Sequence, residues 1–574
     1  VSCADVLLNV ATTARLFHAS DGAGFADLII DGHRETWPLR GKRFGAWLRQ
    51  QYYERTWDAP NPAALNAVLN VLEAQAQFDG PQRKISLRLA EHDGLIYLDL
   101  ADEFWRCVEI GANGWRIAEN PPVRFRRSAG MQPLPLPLRG GSIEALAPFL
   151  NLASENDFVL VVAWLLAALR AGGPYPVLAI AGEQGSAKTV LSKLLRALID
   201  PSVAPVRALP RDERELFIAA SNGHVLAFDN LSGLPPWLSD TLCRLTSGGA
   251  FSTRRLFTDQ DEILFAAARP VILNGIEDVI TRPDLADRAI LLMLAPIAER
   301  QRRPEHALWR EFEFARPQIL GALLDAAAHG LHMLPRVRIK RLPRMADFAL
   351  WATACESAFR PAGTLETAYS NNRRDALENM VDADPLAACV RELMMDRAQW
   401  TGSASDLLQV GTSRPGWPKN PRALAGGLRR AQSFLRTLGI EIAFGREGRF
   451  GTRTIRITAI DEDQLHDTGQ YRQPRQQQWT WGAGLIYKTS SARPGAGALI
   501  AQTMLTVLTQ NSGFRRSAGC IRSELRTGLW RPTLEDEIGK PLADLGLLAK
   551  PTRLAIVPWL LVFFIVAPER RVPP

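Results

Sequence analysis

Cysteine is scarce and never clustered in this sequence. Cys3, Cys107, Cys243, Cys355, Cys389 and Cys520 stand apart, with no C-x-x-C pair and no His/Cys group. That excludes a disulfide-stapled scaffold and a structural zinc site, and it suits a reducing cytoplasm, the localisation expected here. Long apolar runs are missing too. Phe158 to Leu169 is short, and Leu554 to Pro568 is 15 residues with two prolines. Both fall below the roughly 18–20 residues a spanning helix needs, so they read as buried elements and no membrane partner is expected. Ser2 to Phe17 has no basic segment leading into a sustained apolar run, so no signal peptide is expected, and no repeat of fixed period is visible.

What is present is ordinary globular material: 574 residues, 47% apolar and 22% charged. Such a chain has room for roughly three to five domains and is not a disordered or collagenous polymer. The net charge of +8 is concentrated. Ten basic residues lie between Arg414 and Arg456 against Glu441 and Glu447, so one short stretch carries an excess equal to that of the whole chain.

Residues 1–131 mix strand-like runs (26–30, 84–89, 95–100) with a helical stretch at 62–76 and read as an α+β domain. Gln132 to Gly141 (QPLPLPLRGG) alternates proline and leucine and is expected to be a linker. From Ser142 apolar strands alternate with amphipathic helices, the pattern of an α/β sheet with crossovers; YPVLAIA (175–181), HVLAFD (224–229) and PVILNGI (270–276) stand out. Residues 142–304 are expected to form this core, 305–380 a helical lid, and 381–458 a separate module. Residues 459–574 have no assignable pattern.

The first strand runs into Gly182-Glu-Gln-Gly185-Ser186-Ala187-Lys188-Thr189 and then a helical run. In that order the backbone N–H groups of a tight glycine-rich turn wrap phosphates, and the helix N-terminus adds partial positive charge. This order is expected to form a phosphate-binding P-loop for ATP rather than an unrelated glycine-containing strand-to-helix turn, with Lys188 reaching the β/γ-phosphates and the Thr189 hydroxyl placed for Mg²⁺. Ala187 stands where the usual pattern has glycine. Asp229 ends the second strand, where a carboxylate would hold Mg²⁺ with Thr189; the next residue is Asn230 rather than a glutamate, so the catalytic base comes from elsewhere (Asp212, Glu213 or Asp240) or hydrolysis is slow. Asn274 ends the third strand and would orient water against the γ-phosphate. Arg288, with Arg282 in reserve, lies where an arginine acting on a neighbouring subunit would sit, a salt bridge with Asp284 or Asp287 being the competing assignment.

GEQGSAKT, HVLAFDN and LTSGGAFSTRRLFTDQDEILFAAARPVILNGI together resemble the ATPase core of superfamily 3 and related AAA+ replicative helicases, of the primase-helicase and self-loading types found in phages, plasmids and genomic islands. The resemblance covers roughly residues 142–350. It implies a ring-forming, usually hexameric, ATP-driven DNA motor, with a primase fused upstream or supplied separately. It matches Lys188 and Thr189 to Walker A, Asp229 to Walker B, Asn274 to a sensor, Arg254 and Arg255 to the basic tip of a channel hairpin, for which the polar 258–262 segment is the alternative tip, and Arg344 to a second sensor touching the γ-phosphate, an ion pair with Asp347 being the competing assignment. Paired arginines also suit phosphates on general grounds, giving salt-sensitive and sequence-independent binding.

Residues 385–458 read helix, helix, helix and then two strands around a Gly445–Gly451 loop, an order similar to a winged helix. Arg422, Arg429, Arg430 and Arg436 would lie on or near its recognition helix, and Arg446, Arg449 and Arg453 in its wing. The expected whole is a multidomain α/β chain: a P-loop AAA+-like ATPase core, an α+β N-terminal domain and a C-terminal winged-helix module. It would act as an ATP- and Mg²⁺-dependent helicase or translocase on single-stranded DNA and a fork or origin duplex. The alternatives are a DNA-bound initiator that does not unwind, and a defence or signalling ATPase.

Overall fold

The computed structural model describes residues 2–254, 262–266, 268–276, 279–411, 416–447 and 452–460. The chain divides into a unit Val1–Trp481 and a second unit Gly482–Pro574, which lies wholly outside the described residues, as does the apolar run at 554–568.

At the N-terminus α1 (Cys3–Ala11), α2 (Lys42–Thr56) and α3 (Pro62–Phe78) accompany an antiparallel sheet of β1 (Arg15–His18), β2 (Gly24–Ile30) and β3 (His33–Pro38). Asn61 caps α3 through the Ala63 amide and Pro62 occupies its first turn. Leu65, Val68, Leu69, Leu72 and Ala76 then recur at helical spacing and are buried in one core with Leu28, Trp37 and Phe44. A second piece follows, in which β4 (Ile85–Ser86) pairs with β9 (Arg124–Phe125) and an antiparallel meander is formed by β5 (Leu89–His92), β6 (Leu95–Asp99), β7 (Cys107–Gly111) and β8 (Gly114–Ala118).

This meander changes the expected organisation of residues 1–131. Leu89, Ile96, Leu98, Val108, Ile110 and Trp115 belong to the same apolar core as the helices that follow, not to the core around Leu28 and Trp37. Nor is 132–141 a free linker. Its amides at Gln132, Leu134 and Leu138 donate to the carbonyls of Pro201, Leu100 and Pro317, and Leu134 is buried. Gly321 makes the approach possible, since a Cβ there would stand 1.8 Å from the Leu138 oxygen. The alternating prolines give an extended strap that sheds amide donors and packs against a helix.

The central helix α4 (Glu155–Ala168) opens on a capping box between Ser154 and Asp157, and every residue from Phe158 to Ala168 is buried. A helix apolar on all faces belongs inside, as the short run at 158–169 indicated. Beside it lies a parallel sheet in the order β11 (Leu226–Leu231), β14 (Val271–Gly275), β10 (Val177–Gly182), β15 (Ala289–Leu294). Around and between these strands run α5 (Lys188–Ile199), α6 (Glu213–Asn222), α7 (Pro236–Ser247), the antiparallel hairpin β12 (Ala250–Arg254) and β13 (Glu262–Ala266), and the short α8 (Pro283–Ala286). The three expected strands are present and β15 is an addition. The helices α9 (Glu305–Met333), α10 (Ala346–Glu356) and α11 (Thr364–Ala383) follow. Asn372 of α11 closes the β15 edge: its Oδ1 accepts the Leu291 amide at 3.0 Å and its Nδ2 donates to the Leu291 carbonyl at 2.5 Å.

The last described module contains α12 (Pro385–Met394), β16 (Gln399–Gly402), α13 (Ala404–Val410), α14 (Pro421–Thr437), β17 (Ile440–Glu447) and β18 (Thr452–Ala459), with sheet order β16-β18-β17. Sequence reasoning missed β16, whose four residues between two helices carry no usable periodicity. Leu386, Val390, Leu424, Leu428, Leu435, Ile442, Ile455 and Ile457 form the core of this module.

Candidate functional site

The loop after β10 is built from backbone conformations that few residues adopt. Gly182 (φ 150°), Gly185 (φ 86°) and Ala187 (φ 64°) all lie at positive φ, and a Cβ on Gly182 would come within 2.5 Å of the Leu294 carbonyl oxygen. Ala187, the departure from the usual glycine, takes the left-handed conformation at the N-cap of α5, a strain an alanine bears only where the surroundings fix it. The Lys188 ammonium donates to the carbonyls of Gly182 (2.7 Å) and Glu183 (2.8 Å) and lies 3.4 Å from Ser186 Oγ, so it folds over the mouth of the loop. Desolvation lowers the Lys188 pKa, while the Asp229 carboxylate works in the opposite direction.

Asp229 comes to the loop because β11, β14 and β10 are parallel and end together. Thr189 Oγ1 donates to Asp229 Oδ1 at 3.0 Å. The strand register slips between Phe228 and Leu231, and Asn230 at φ 58° takes up the irregularity. Between them sits Asn274, 1% exposed. Its Oδ1 accepts the Asn230 amide and its Nδ2 donates to Ser192 Oγ, both at 3.0 Å; Ser192 Oγ in turn donates to the Lys188 carbonyl at 3.1 Å. Asn274 therefore joins the Asp229 strand to the first turn of α5 with both of its polar atoms engaged.

The three candidate bases are also committed. Asp212 caps α6 through the Glu215 amide at 2.8 Å, Glu213 pairs with Arg244 at 2.6 Å, and Asp240 pairs with Arg282 at 2.9 Å.

Arg288 and Arg344 lie elsewhere. The Arg288 carbonyl accepts the Val177 amide at 2.8 Å, which places Arg288 at the start of β10, whereas the loop follows its far end. At about 3.3 Å per residue the two ends of this six-residue strand are about 17 Å apart. The Arg288 guanidinium donates to the Asp284 carbonyl at 2.7 Å. Arg344 stands at the same edge, 3.6 Å from Asp284 and 3.4 Å from Asp287, not against Asp347 and not beside its own chain's loop. Arg373 of α11 joins the same group, 3.2 Å from Asp287. Asp284 and Asp287 thus hold the Arg344 guanidinium at the end of the sheet opposite its own chain's loop.

Two residues beside the loop escaped sequence reasoning. Asn151 Nδ2 donates to the Ser186 carbonyl (3.1 Å) and the Ala295 carbonyl (2.7 Å), tying the loop to the end of β15. Arg302 brings its guanidinium over Gly185. Neither position had a motif around it that would have marked it.

In the hairpin, Arg254 is in register with Glu262; Arg255 and the 258–261 part of the alternative tip lie outside the described residues. In the basic module Arg422, Arg429, Arg430 and Arg436 are exposed on α14, with the Arg429 guanidinium 4.6 Å from the centre of the Phe444 ring. Arg446 and Arg453 are exposed directly opposite each other on β17 and β18; Arg449 lies outside the described residues. Like charges paired across strands are destabilising unless an anion lies against them. Among the described residues no helix is long and apolar enough to cross a membrane, and no group of His, Cys, Asp and Glu is arranged to hold a metal ion by itself.

Residues 143–382 match the family of the actinomycete integrative conjugative element replication protein, and residues 386–475 match the C-terminal domain of that RepA family. The break between the matches falls where α11 gives way to α12. The chain is thus similar to a replication protein of a mobile element. Nothing among the curated proteins matches it. Among solved structures, the apo C-terminal region of NrS-1 is 11% identical over 79% of this chain and 98% of that one, with a TM-score of 0.35. An SCCmec type IV Cch, described as an active helicase, is 9% identical over 78% of this chain and 93% of that one, with a TM-score of 0.42.

Proposed function

We propose that this chain is an ATP-driven DNA helicase or translocase that serves replication of an integrative conjugative element. The observation that carries the reading is the convergence, at one end of parallel strands, of the Gly182–Thr189 P-loop, the 3.0 Å contact between Thr189 and Asp229, and Asn274 joining both strands to α5. The donor set fits Mg·ATP. The loop amides and the α5 N-terminus would receive the phosphates, Lys188 would exchange its carbonyl partners for phosphate oxygens, and Thr189 with Asp229 would hold Mg²⁺. Mg²⁺ held there would supply positive charge against the phosphates.

DNA is the partner that the basic module fits. Its order α12, β16, α13, α14, β17, β18 suits a winged helix, α14 being the recognition helix and the β17–β18 hairpin the wing. The unbalanced Arg446/Arg453 pair fits a polyanion. The family match in 143–382 supports the replication setting. Asn230, bonded to Asn274 and followed by no acid, favours a second reading in which ATP acts as an assembly switch on DNA without unwinding it.

ATP turnover by the full chain with and without single-stranded DNA, and displacement from a forked duplex, test these readings. DNA-stimulated turnover with strand displacement supports the motor; stimulated turnover without displacement selects the switch. Turnover indifferent to any DNA overturns both in favour of a signalling ATPase.

A further inference from the structure

The segment between β15 and α9 wraps the loop. The Ile297 amide donates to the Gly185 carbonyl at 3.4 Å, and Asn151 bridges Ser186 and Ala295. The same segment carries Arg302. Its Nη2 stands 3.6 Å from where a Cβ on Gly185 would lie, and its Nε donates to the Ile297 carbonyl at 3.3 Å. Arg302 is exposed and, among the described residues, makes no salt bridge, whereas its neighbour Arg303 is paired with Glu311. An exposed guanidinium whose one printed hydrogen-bond partner is a neutral carbonyl, held beside Gly185 of a glycine-rich turn that opens a helix, has its N–H fork available for an anion at that turn.

We infer that Arg302 is a phosphate-binding residue acting on the nucleotide of its own chain, contacting the γ-phosphate of ATP from its place beside Gly185. It thereby takes the place in the site that Arg344, held at the other end of the sheet by Asp284 and Asp287, does not occupy. The planar fork of a guanidinium suits two phosphate oxygens, and because the contact is to the terminal group it distinguishes ATP from ADP. This inference rests on the nucleotide-site reading above.

The test is equilibrium binding of Mg·ATP and Mg·ADP to the full chain and to its R302A, R302K and K188A variants, with thermal unfolding of each nucleotide-free protein as a folding check. Expected are an unchanged unfolding midpoint for R302A, ATP affinity at least tenfold weaker, ADP affinity within threefold of the parent, and an intermediate ATP affinity for R302K. ATP binding by R302A equal to that of the parent, or equal losses for ATP and ADP, overturns the Arg302 assignment while leaving the nucleotide site standing. Failure of the unmodified chain to bind either nucleotide, or binding that K188A does not weaken, overturns the site itself.

Discussion

Replacing Arg88 by methionine tests how the N-terminal meander supports the parallel core that carries the Gly182–Thr189 loop. Arg88 is 0% exposed. Its Nε donates to Asp200 Oδ1 at 3.0 Å, Nη1 to the Asp99 carbonyl at 3.0 Å and Nη2 to the Gln132 carbonyl at 2.9 Å, so one side chain joins the meander, the 132–141 strap and the end of α5. Asp200 also accepts the amides of His224 (2.8 Å) and Val225 (3.1 Å), which lead into β11. Burial pushes the Asp200 pKa up, and Arg88 with Arg196 more than offsets it, leaving it below the ordinary value. Methionine fills much of the volume but strands the carboxylate. Removing one partner of a buried pair costs about 3–5 kcal/mol, and at about 2–4 °C per kcal/mol the unfolding midpoint falls by about 10 °C.

The pH dependence has a definite sign. A depressed carboxylate contributes stability above its unfolded pKa that is lost as pH falls through the lower folded value. Without Arg88, burial dominates, the folded pKa rises, and acid unfolding begins at higher pH. Asp200→Asn in the same background recovers part of the loss because the desolvated carboxylate is gone, while the buried Arg196 keeps the Asp200, Ala204 and Pro205 carbonyls as acceptors. Thermal and acid unfolding of the full chain measure these effects, with ATP binding at low temperature as the control, since none of these groups touches the loop. A midpoint within 2 °C of the parent would refute the reasoning, as would an Asp200→Asn change that fails to relieve the variant.

Thr189→Ala and Asp229→Asn should each remove Mg²⁺-dependent tightening of ATP binding, by tenfold or more, read by titration with and without the metal; tightening that survives both changes rejects the shared metal site. Asn274→Ala should lower stability by about 1–3 kcal/mol by leaving the Asn230 amide unpaired, and should slow turnover. Asn274→Asp, which keeps an acceptor for that amide, should be the milder change in thermal unfolding. Paired replacement of Arg446 and Arg453 by glutamine should weaken DNA binding evenly across sequences and flatten its salt dependence, with a fall in slope of about 2 on a log-log plot. A loss confined to one sequence would mean base reading instead.

Much of the parallel core was legible because each strand was followed by punctuation with a mechanism. Gly182 and Gly185 mark a turn at positive φ, Lys188-Thr189 opens a helix, and Asp229 and Asn274 end apolar runs. What escaped was non-local. Asn151 and Asn372 act on backbone carbonyls and amides more than 30 residues away, Arg302 stands beside the equally distant Gly185, and nothing beside them in the sequence announces it. The strap at 132–141 misled because proline and leucine alternate equally well in a free linker and in an extended segment laid on a helix. What decides between them is Gly321, far along the chain and meaningful only once α9 is beside the strap.

The separation of Arg288 from the loop leads to the last prediction. A parallel strand of six residues puts Val177, and with it Arg288, about 17 Å from Gly182, farther than an extended arginine side chain reaches. Arg344 and Arg373 gather at the same end around Asp287, while the loop end holds Lys188, Asp229 and Arg302. If Arg288 takes part in hydrolysis, it serves the loop of another copy, and each copy brings two half-sites on opposite faces. Head-to-tail contacts of that kind close into rings. Turnover per chain should therefore rise with protein concentration to a plateau. Arg288→Ala chains should bind ATP normally yet hydrolyse it at least a hundredfold more slowly, and mixing them with Lys188→Ala chains should restore part of the activity, because the mixture contains interfaces with an intact loop facing an intact arginine. Concentration-independent turnover, or an Arg288→Ala chain that hydrolyses at the parent rate, would refute the shared site.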